Sequence, residues 1–468
     1  MSNEYGNKRA HVVVFPYPAQ GHMNPLMEFA KRLVSKNLHV TFVITETVRH
    51  CMSEAQNDVI LSSRDIRIET ISDGLSSENG GPKDAETRVN LLRKVGGLTF
   101  EGLIERLNTQ DHRVSCIVYD SVLEWVPRIA TKFSIPSAFF STQSCAVYSI
   151  YYHYHKGMVH SAGGDVEQEI IIPELPLLHQ LDLPSFLHPS TSDESQFFLQ
   201  LVLGQFTTIS QATWILGNSF DDLEAAEIKS MDLFIPIRTV GPLLPSAFLD
   251  GNNPQDTDVG AHLWKTTNCI DWLNTKGNSS VVYVSFGSLA VQSREQICEI
   301  ALGLKASGYS FLWVIRPAHN KEEYAGLQDL PGGFLEEITE RGLVVPWCPQ
   351  MAVLSHPSVG MFMTHCGWNS TLESLSSGLP VVSVPQWSDQ PTNSKYIDEV
   401  WKTGIRLDKY REAGFIGREE VEKSIRTVME TEVGVELRKS ALRWKTLAKK
   451  AVVKGGSSDK NIEDFVQE

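Results

Sequence analysis

The chain reads WCPQMAVLSHPSVGMFMTHCGWNSTLESLSSGLPVVSVPQWSDQ from Trp347 to Gln390. This stretch holds two short apolar runs, at 360–365 and 380–385, and a segment of helix length lies between them. Continuous rather than alternating apolar residues indicate strands that are buried on both faces. A strand, a helix and a second strand in that order predict parallel neighbours in a sheet covered by helices. The stretch therefore predicts an α/β fold.

The same rhythm continues along the whole chain. Each half contains five short apolar runs, which lie at 11–15, 40–44, 115–120, 136–140 and 213–220 in the first half and at 280–286, 311–316, 342–347, 360–365 and 380–385 in the second. A stretch rich in Pro, Gly, Asn and Asp separates the halves at 242–260 and is typical of a linker. A chain of 468 residues is also long for one domain. We therefore predict two doubly wound domains, whose ligands bind beyond the carboxyl ends of the strands.

Composition restricts the classes of partner. The net charge of −14 argues against nucleic acid and anionic membranes as partners. Seven scattered cysteines without a CxxC pair predict reduced thiols rather than disulfides or a metal site. The first ten residues lack the apolar core of a signal peptide, and no apolar run reaches the ~18–20 residues of a membrane-spanning helix. We expect a soluble, cytoplasmic and monomeric protein.

The quoted stretch also contains groups that suit a nucleotide sugar. His365 to Ser370 lie where a strand is expected to turn into a helix, and the N–H groups at a helix N-terminus bind phosphate. Glu373 follows about one helical turn later, and its two oxygens suit vicinal hydroxyls. Trp347 offers an aromatic plane, and Asp389 with Gln390 closes the stretch after the second strand.

These 44 residues, from Trp347 to Gln390, resemble the signature box of the plant family 1 UDP-dependent glycosyltransferases. The resemblance extends to PYPAQGHMNP at 16–25, VYVSFGSL at 282–289 and GGSSDKNIEDF at 455–465. It looks closest to the subgroup that acts on small acids, phenols and steroid or triterpene alcohols. The resemblance implies the GT-B architecture, in which two Rossmann-like domains face each other across a donor and acceptor cleft.

The resemblance also implies the parts of the chain and the roles of its residues. It implies an acceptor-binding domain at 1–245, a linker at 246–262, a UDP-sugar-binding domain at 263–450, and a C-terminal helix at 451–468 that packs back on the first domain. The implied uridine subsite consists of Trp347, Cys348, Gln350 and Glu373. The implied diphosphate subsite consists of Ser288, His365, Gly367, Asn369 and Ser370. The implied sugar subsite consists of Trp368, Asp389, Gln390 and Thr142, with Ser141 as the alternative to Thr142.

A histidine and an aspartate follow two strands of the first half. His22 lies after the run at 11–15, on a predicted loop before a helix that Pro25 would start at Leu26. Histidine titrates near neutrality and can accept a proton from a hydroxyl. Asp120 ends the run at 115–120 and can hold the imidazole tautomer. Taken alone, His22 could equally cap or pack a helix and Asp120 could belong to a turn, but the family places its base and aspartate at these positions.

The implied reaction inverts the anomeric carbon of a UDP-sugar and needs no metal or other cofactor. One motif favours a metal instead, because Asp256-Thr257-Asp258 matches the DxD pattern of metal-dependent transferases. It lies in the polar linker rather than at a strand end, so we predict no metal there.

The acceptor pocket is the least determined part. Aromatic residues at Tyr148–Tyr154 and in the segment Leu183–Phe206 either line an apolar pocket or form the buried face of a helix. We expect an O-glucosyltransferase that adds β-glucose to a steroid, triterpene or phenolic hydroxyl, since Gln390 at the end of the box favours glucose. The alternatives are an acyl glucosyltransferase that forms glucose esters, an epimerase or hydrolase of UDP-sugars, and a non-enzymatic nucleotide-sugar-binding protein.

Overall fold

Two parallel β-sheets, one in each half of the chain, organise the structure. The computed structural model describes residues 9–54, 66–75, 84–109, 113–159, 169–189, 192–231, 236–259, 264, 266–288, 292–316, 327–407 and 415–468. Of the linker predicted at 246–262, the last three residues lie outside this part of the chain, as do residues 190–191 of the predicted acceptor segment.

The first half alternates strands with helices. Its strands are β1 His11–Phe15, β2 His39–Thr45, β3 Ile66–Ile71, β4 Val114–Asp120, β5 Ser137–Ser141, β6 Glu169–Ile170, β7 Leu178–His179, β8 Trp214–Gly217 and β9 Arg238–Thr239. Its helices are α1 Gln20–Ser35, α2 Glu46–Glu54, α3 Ala85–Leu91, α4 Gly97–Asn108, α5 Val126–Lys132, α6 Cys145–His155, α7 Asp193–Thr208 and α8 Ala225–Met231. The described strands of the large sheet are parallel in the order β3-β2-β1-β4-β5-β8-β9, and β6 pairs with β7.

The second half repeats this plan. Its strands are β10 Val281–Ser285, β11 Ser310–Val314, β12 Gly342–Val345, β13 Val359–Thr364, β14 Val381–Ser383 and β15 Gly404–Arg406. Its helices are α9 Ile270–Asn274, α10 Arg294–Ser307, α11 Phe334–Glu337, α12 Gln350–Leu354, α13 Trp368–Ser377, α14 Gln390–Lys395, α15 Arg418–Glu430, α16 Glu432–Val452 and α17 Ser457–Gln467. The described strands form a parallel sheet in the order β12-β11-β10-β13-β14-β15.

Both faces of each sheet are buried, as the continuous apolar runs predict. In β1, Val13 and Phe15 pack into one core cluster, whereas Val12 and Val14 pack into another on the opposite face. The valines of β10 divide in the same way between two further clusters. Since side chains alternate along a strand, a strand with two buried faces needs apolar residues at every position.

The strand order places the ends of four strands against the cleft. In each sheet the order reverses beside the first strand, between β1 and β4 in the first sheet and between β10 and β13 in the second. Ligands of open α/β sheets bind at such a switch point, beyond the carboxyl ends of the strands. The segments that follow β1, β10 and β13 carry His22, Ser288 and His365 respectively, and Asp120 is the last residue of β4.

The two halves share a hydrophobic cluster and a C-terminal strap. Phe220 and Leu223 of the first half pack with Trp368, Trp401 and Trp444 of the second. Helix α17 packs on the first sheet, where its Ile462 and Phe465 join the cluster around β1, β2 and β4. These contacts fix how the two sheets face each other.

Three strands of the two sheets were not predicted. The run at 66–71, IRIETI, alternates apolar and polar residues, which suits its place at the edge of the first sheet. Strands β9 and β15 have two and three residues and also lie at sheet edges. Strands β9 and β15 are too short to show a hydrophobic periodicity, so the sequence pattern did not reveal these two strands.

Candidate active site

A cavity of about 270 Å³ lies between the two sheets, and both halves line it. The first half contributes residues of α1 and of the segment after β5, including His22 and Thr142. The second half contributes most of the predicted donor residues, namely Ser288, Trp347, Cys348, Gln350, His365, Gly367, Trp368, Asn369, Ser370, Glu373, Asp389 and Gln390. The structure thus brings these residues together around one space.

His22 and Asp120 form a hydrogen-bonded pair at the edge of this cavity. The His22 Nδ1 atom lies 2.8 Å from Asp120 Oδ2. The Asp120 side chain is fully buried, and its Oδ1 accepts the N–H of Val122 at 3.1 Å. The His22 side chain is 26 % exposed. Because Asp120 occupies Nδ1, the Nε2 atom is the ring nitrogen left for a reacting group.

The charge of Asp120 strengthens His22 as a base. Burial alone lowers the pKa of His22, but the charge and hydrogen bond of Asp120, together with the charge of Asp389, raise it above its ordinary value. Tyr17 packs edge-on against the imidazole, with ring centroids 5.3 Å apart. Thr142 Oγ1 lies 3.2 Å from His22 Nδ1, and Thr142 lines the cavity, whereas its alternative Ser141 ends strand β5.

The structure corrects the predicted loop around His22. Helix α1 begins at Gln20, so His22 lies in its first turn and Pro25 lies inside the helix. A proline has no N–H to donate to the carbonyl four residues earlier, which here belongs to Gly21. The Gly21 carbonyl accepts instead from Asn369 Nδ2 at 2.8 Å. Pro25 therefore frees an acceptor through which the second half binds the helix that carries His22.

The His365 imidazole lies between two glycines at the start of the predicted diphosphate subsite. A Cβ atom on Gly287 would lie 2.4 Å from His365 Nε2, and a Cβ on Gly367 would lie 2.8 Å from the same atom. Burial, and next the charge of Arg316, lower the pKa of His365 to about 4. His365 is therefore neutral at physiological pH and can act as a hydrogen-bond donor without carrying charge.

We expect Gly287→Ala to weaken UDP binding about tenfold or more, since the new methyl group displaces a ring that can donate to a phosphate. Gly287 also has a φ of +76°, so alanine adds about 1 kcal/mol of backbone strain. Calorimetric titration with UDP measures the loss. Gly308→Ala is the matched control, because Gly308 has a φ of +78° but has no neighbouring atom within 4 Å of its Cβ position. Equal UDP affinity in both variants would contradict the prediction.

Helix α13 directs its N-terminus into the cavity beside His365. Gly367 precedes the helix, whose first backbone N–H, that of Trp368, donates to Asp389 Oδ2 at 3.2 Å. The next residues, Asn369 and Ser370, line the cavity. N–H groups in the first turn of a helix find no partner within it, and the helix dipole favours an anion there.

A hydrogen-bonded chain orders the predicted uridine subsite. Tyr283 Oη donates to Gln350 Oε1 at 2.9 Å, and Gln350 Nε2 donates to Glu373 Oε2 at 2.5 Å and to Ser370 Oγ at 3.1 Å. Trp347 lines the cavity next to this chain, and Cys348 is buried with its sulfur 3.3 Å from Tyr283 Oη. The chain fixes the Glu373 carboxylate before any ligand is bound.

The predicted sugar subsite is a turn that follows β14. Burial raises the pKa of Asp389 to about 6, and Asn393 Nδ2 donates to its Oδ2 at 2.7 Å. Gln390 Oε1 accepts the N–H groups of Gln386 and Trp387, which directs the amide nitrogen of Gln390 away from the turn. Trp368 differs from its neighbours, because its indole is buried and donates to the Asn218 carbonyl at 2.7 Å. Its contribution to the cavity is therefore structural.

The two predicted acceptor regions lie in different environments. Tyr148, Tyr151 and Tyr152 of α6 are buried in the core of the first half, so the structure favours the buried helix face over a pocket lining. The segment 183–206 reaches the cavity border. Phe186 and Phe198 stack at 5.3 Å, and both pack edge-on against Trp387, which lines the cavity.

Some residues of the site were missed by sequence reasoning. Tyr283 reads as a core strand residue, and the only signal of its role is a hydroxyl on an otherwise apolar strand. Thr257, Asp258 and Val259 of the linker also line the cavity. Asp256 of the DxD motif binds Lys31 at 2.7 Å and accepts the N–H of Ser246 at 2.8 Å. Its carboxylate therefore holds the linker against α1.

The described residues show neither a metal-binding cluster nor a membrane-spanning helix. In that part of the chain, no cluster of three or more His, Cys, Asp or Glu side chains is arranged to hold a metal ion. The helices described there are also too short or too polar for any of them to span a bilayer.

The fold and the site together define a nucleotide-sugar-dependent transferase with two facing Rossmann-like domains. Comparisons with known proteins agree. The family model described as "UDP-glucoronosyl and UDP-glucosyl transferase" matches residues 205–447, and the model of the "Glycosyltransferase, N-terminal domain" matches residues 8–59. The chain belongs to the family of UDP-glycosyltransferases, and its fold is GT-B. Family membership makes it an enzyme, so a non-enzymatic binding protein no longer stands as an alternative.

Individual relatives align along nearly the whole chain. Mogroside I-E synthase of Siraitia grosvenorii is 41% identical over 460 residues, which cover 97% of each chain. Gallate 1-beta-glucosyltransferase 84A24 of Punica granatum is 40% identical over 469 residues, which cover 98% of this chain and 88% of the relative. The crystal structure of Os79 from O. sativa in complex with UDP superposes with a TM-score of 0.87 at 34% identity, and it covers 97% of this chain and 99% of Os79.

Proposed function

We propose that the chain transfers glucose from UDP-glucose to a hydroxyl group of a lipophilic plant small molecule and inverts the anomeric carbon. The observation that carries the proposal is the single cavity in which the His22–Asp120 pair faces the N-terminus of α13 and the turn of Asp389 and Gln390. This arrangement places a base, an anion-binding helix end and a sugar-binding turn around one space.

The proposed reaction is one displacement. His22 Nε2 takes the proton of the acceptor hydroxyl as its oxygen attacks the anomeric carbon. The bond from that carbon to the β-phosphate oxygen breaks, and UDP leaves with the electron pair. The first turn of α13, His365 and Ser288 would stabilise the charge that develops on UDP. These groups would act without a metal ion, and the engagement of Asp256 by Lys31 supports that proposal.

Glucose as the sugar rests on the turn after β14. We propose that Asp389 and Gln390 bind the secondary hydroxyls, and that Thr142 binds the primary hydroxyl beside the base. The fixed Gln390 amide supports this role, because an oriented donor discriminates between epimers better than a mobile one. We further propose that Trp347, Cys348, Gln350 and Glu373 bind the uridine.

A second candidate function is formation of glucose esters from small carboxylic acids. The relative from Punica granatum is named as a gallate glucosyltransferase, which supports this candidate, whereas the relative from Siraitia grosvenorii is named for a mogroside.

A mass-spectrometric screen of the purified protein with UDP-glucose tests both candidates. Acceptors are steroid and triterpene alcohols, phenols and aromatic acids, each with and without EDTA. We expect a mass gain of one hexose that EDTA does not change. Products that lose the sugar in mild alkali are esters and support the second candidate. Release of UDP and glucose without a conjugate would instead indicate hydrolysis, and loss of product with EDTA would overturn the metal-free proposal.

A further inference from the structure

A buried carboxylate of the first half pairs with two cations of the second half. Asp182 ends a short helical turn at Gln180–Asp182, after β7. Its Oδ1 accepts from Arg406 Nη1 at 2.5 Å, and its Oδ2 lies 3.4 Å from Lys395 Nζ. The side chains are 4 %, 8 % and 6 % exposed respectively. Lys395 Nζ also pairs with Glu399 Oε2 at 2.8 Å, so loss of the Asp182 charge affects the buried guanidinium of Arg406 most, and such desolvated pairs are sensitive to substitution.

The two cations lie on elements that flank the sugar-binding turn. Lys395 is the last residue of α14, the helix that begins at Gln390. Arg406 ends β15, and its register partner in β14 is Ser383, shortly before the turn. Thr392, in the middle of α14, donates to the Asp182 carbonyl at 2.7 Å. The backbone and the carboxylate of Asp182 thus hold the same helix at two points.

A third contact holds the turn itself. The N–H of Ser185 donates to the Ser388 carbonyl at 2.8 Å, and the N–H of Ser388 donates to Ser185 Oγ at 2.6 Å. Ser388 has a φ of +59°, a conformation that residues other than glycine rarely adopt. The reciprocal pair of bonds from Ser185 compensates for this backbone strain.

The uridine and diphosphate subsites lie on different elements. Glu373 and Ser370 belong to α13, and His365 follows β13, whereas the contacts of Asp182 and Ser185 described above reach the turn, α14 and β15. A displacement of the 179–188 segment would therefore move the groups that touch the sugar more than those that hold UDP.

We propose that Asp182 is a positioning residue that fixes the sugar-binding turn from the opposite half, and thereby controls which sugar is transferred rather than how tightly UDP binds. This inference rests on the proposed function, because it takes Asp389 and Gln390 as the sugar-contacting residues. Through Asp182 and Ser185, the acceptor half sets the geometry of the turn that carries Asp389 and Gln390.

The test compares Asp182→Asn and Ser185→Ala with the native chain. Each variant is assayed for kcat and KM with UDP-glucose and with UDP-galactose, and its UDP affinity is measured by calorimetry. We expect the preference for UDP-glucose in kcat/KM to fall about tenfold in Asp182→Asn and about threefold in Ser185→Ala, with UDP affinity within about twofold of the native value. Asp182→Glu, which keeps the charge, should recover part of the preference.

Asp459→Asn is the matched control. Asp459 also pairs with a cation across the halves, Lys36 at 2.5 Å, and its carboxylate accepts the N–H of Gly455, as the Asp182 carboxylate accepts that of His179. Asp459 lies on α17, away from the turn, so we expect the Asp459→Asn variant to keep the native preference for UDP-glucose. If the Asp182→Asn variant does not fold, the Ser185→Ala variant tests the positioning role, because this substitution removes one hydrogen bond and no charge.

The Gln390→Ala variant distinguishes failure of the positioning role of Asp182 from failure of the proposed sugar subsite. If Gln390→Ala lowers the preference but Asp182→Asn and Ser185→Ala do not, the positioning role is wrong and the proposed sugar subsite stands. If Gln390→Ala leaves the preference unchanged, the proposed sugar subsite itself is wrong. A parallel loss of UDP affinity and sugar preference in Asp182→Asn would show a general structural role and overturn the inference.

Discussion

His22→Ala should lower kcat for alcohol acceptors about 10³-fold, the range in which a positioned general base acts. An aliphatic hydroxyl or a phenol, whose pKa is about 10, arrives protonated and needs a base as its oxygen attacks. A carboxylic acid, whose pKa is about 4, arrives ionised and needs no base. We therefore expect kcat of the same variant to fall about tenfold or less with carboxylic acids as acceptors. Single-turnover kinetics with one acceptor of each kind measure the difference.

UDP affinity provides the control for this variant. The predicted UDP contacts belong to the second half, so His22→Ala should bind UDP as the native chain does, and added imidazole should restore part of the alcohol activity. Equal losses with alcohols and acids would show that His22 acts in positioning rather than as a base. The comparison also separates the two candidate functions, because an enzyme evolved for ester formation depends little on proton removal.

Much of this site follows from the sequence because it follows from strand order. Once β1 and β4 are recognised as neighbours at a switch point, the residues at and after their carboxyl ends must lie together, and His22 and Asp120 do. The same reasoning brings Ser288 and His365 to one edge of the second sheet. Buried parallel strands have near-continuous apolar runs, so their presence and order are visible in the sequence, although the run at 213–220 is longer than the strand Trp214–Gly217.

What the sequence did not reveal depends on contacts between the halves. No local pattern distinguishes Asp182 from any other turn aspartate, because Lys395 and Arg406 lie more than two hundred residues away along the chain. The helix start at Gln20 was missed since Pro25 normally marks a first turn, and the donor to the freed Gly21 carbonyl comes from Asn369 in the other half. The tyrosines of α6 lie in the hydrophobic core. Aromatic residues are common both in ligand pockets and in cores, so composition alone did not show which of the two these tyrosines form.

Asp120→Asn should lower kcat about 10²- to 10⁴-fold for alcohol acceptors, although the asparagine is the same size as the aspartate. The buried carboxylate accepts from His22 Nδ1, which leaves Nε2 unprotonated and able to take a proton. An amide can instead donate to Nδ1, which places the ring proton on Nε2 and removes the base. Steady-state kinetics with UDP-glucose measure the loss, and Asp221→Asn, which alters a carboxylate that accepts from Thr239, is the control.

The pH dependence of the same variant distinguishes the electrostatic role of Asp120 from a packing role. Asp120 raises the pKa of His22, so the native kcat/KM falls as the pH drops through that raised value and His22 becomes protonated. Without the negative charge, the pKa of His22 falls, and the acidic limb of the residual activity should move to lower pH. A limb that stays in place while kcat falls would contradict the electrostatic role of Asp120, and Asp389, whose pKa burial raises to about 6, would then be the group to test as the origin of the limb. An acidic limb that moves to lower pH, together with a lower maximal rate, indicates that Asp120 acts on His22 through its charge. A lost packing contact would lower the maximal rate and leave the pH of the acidic limb unchanged.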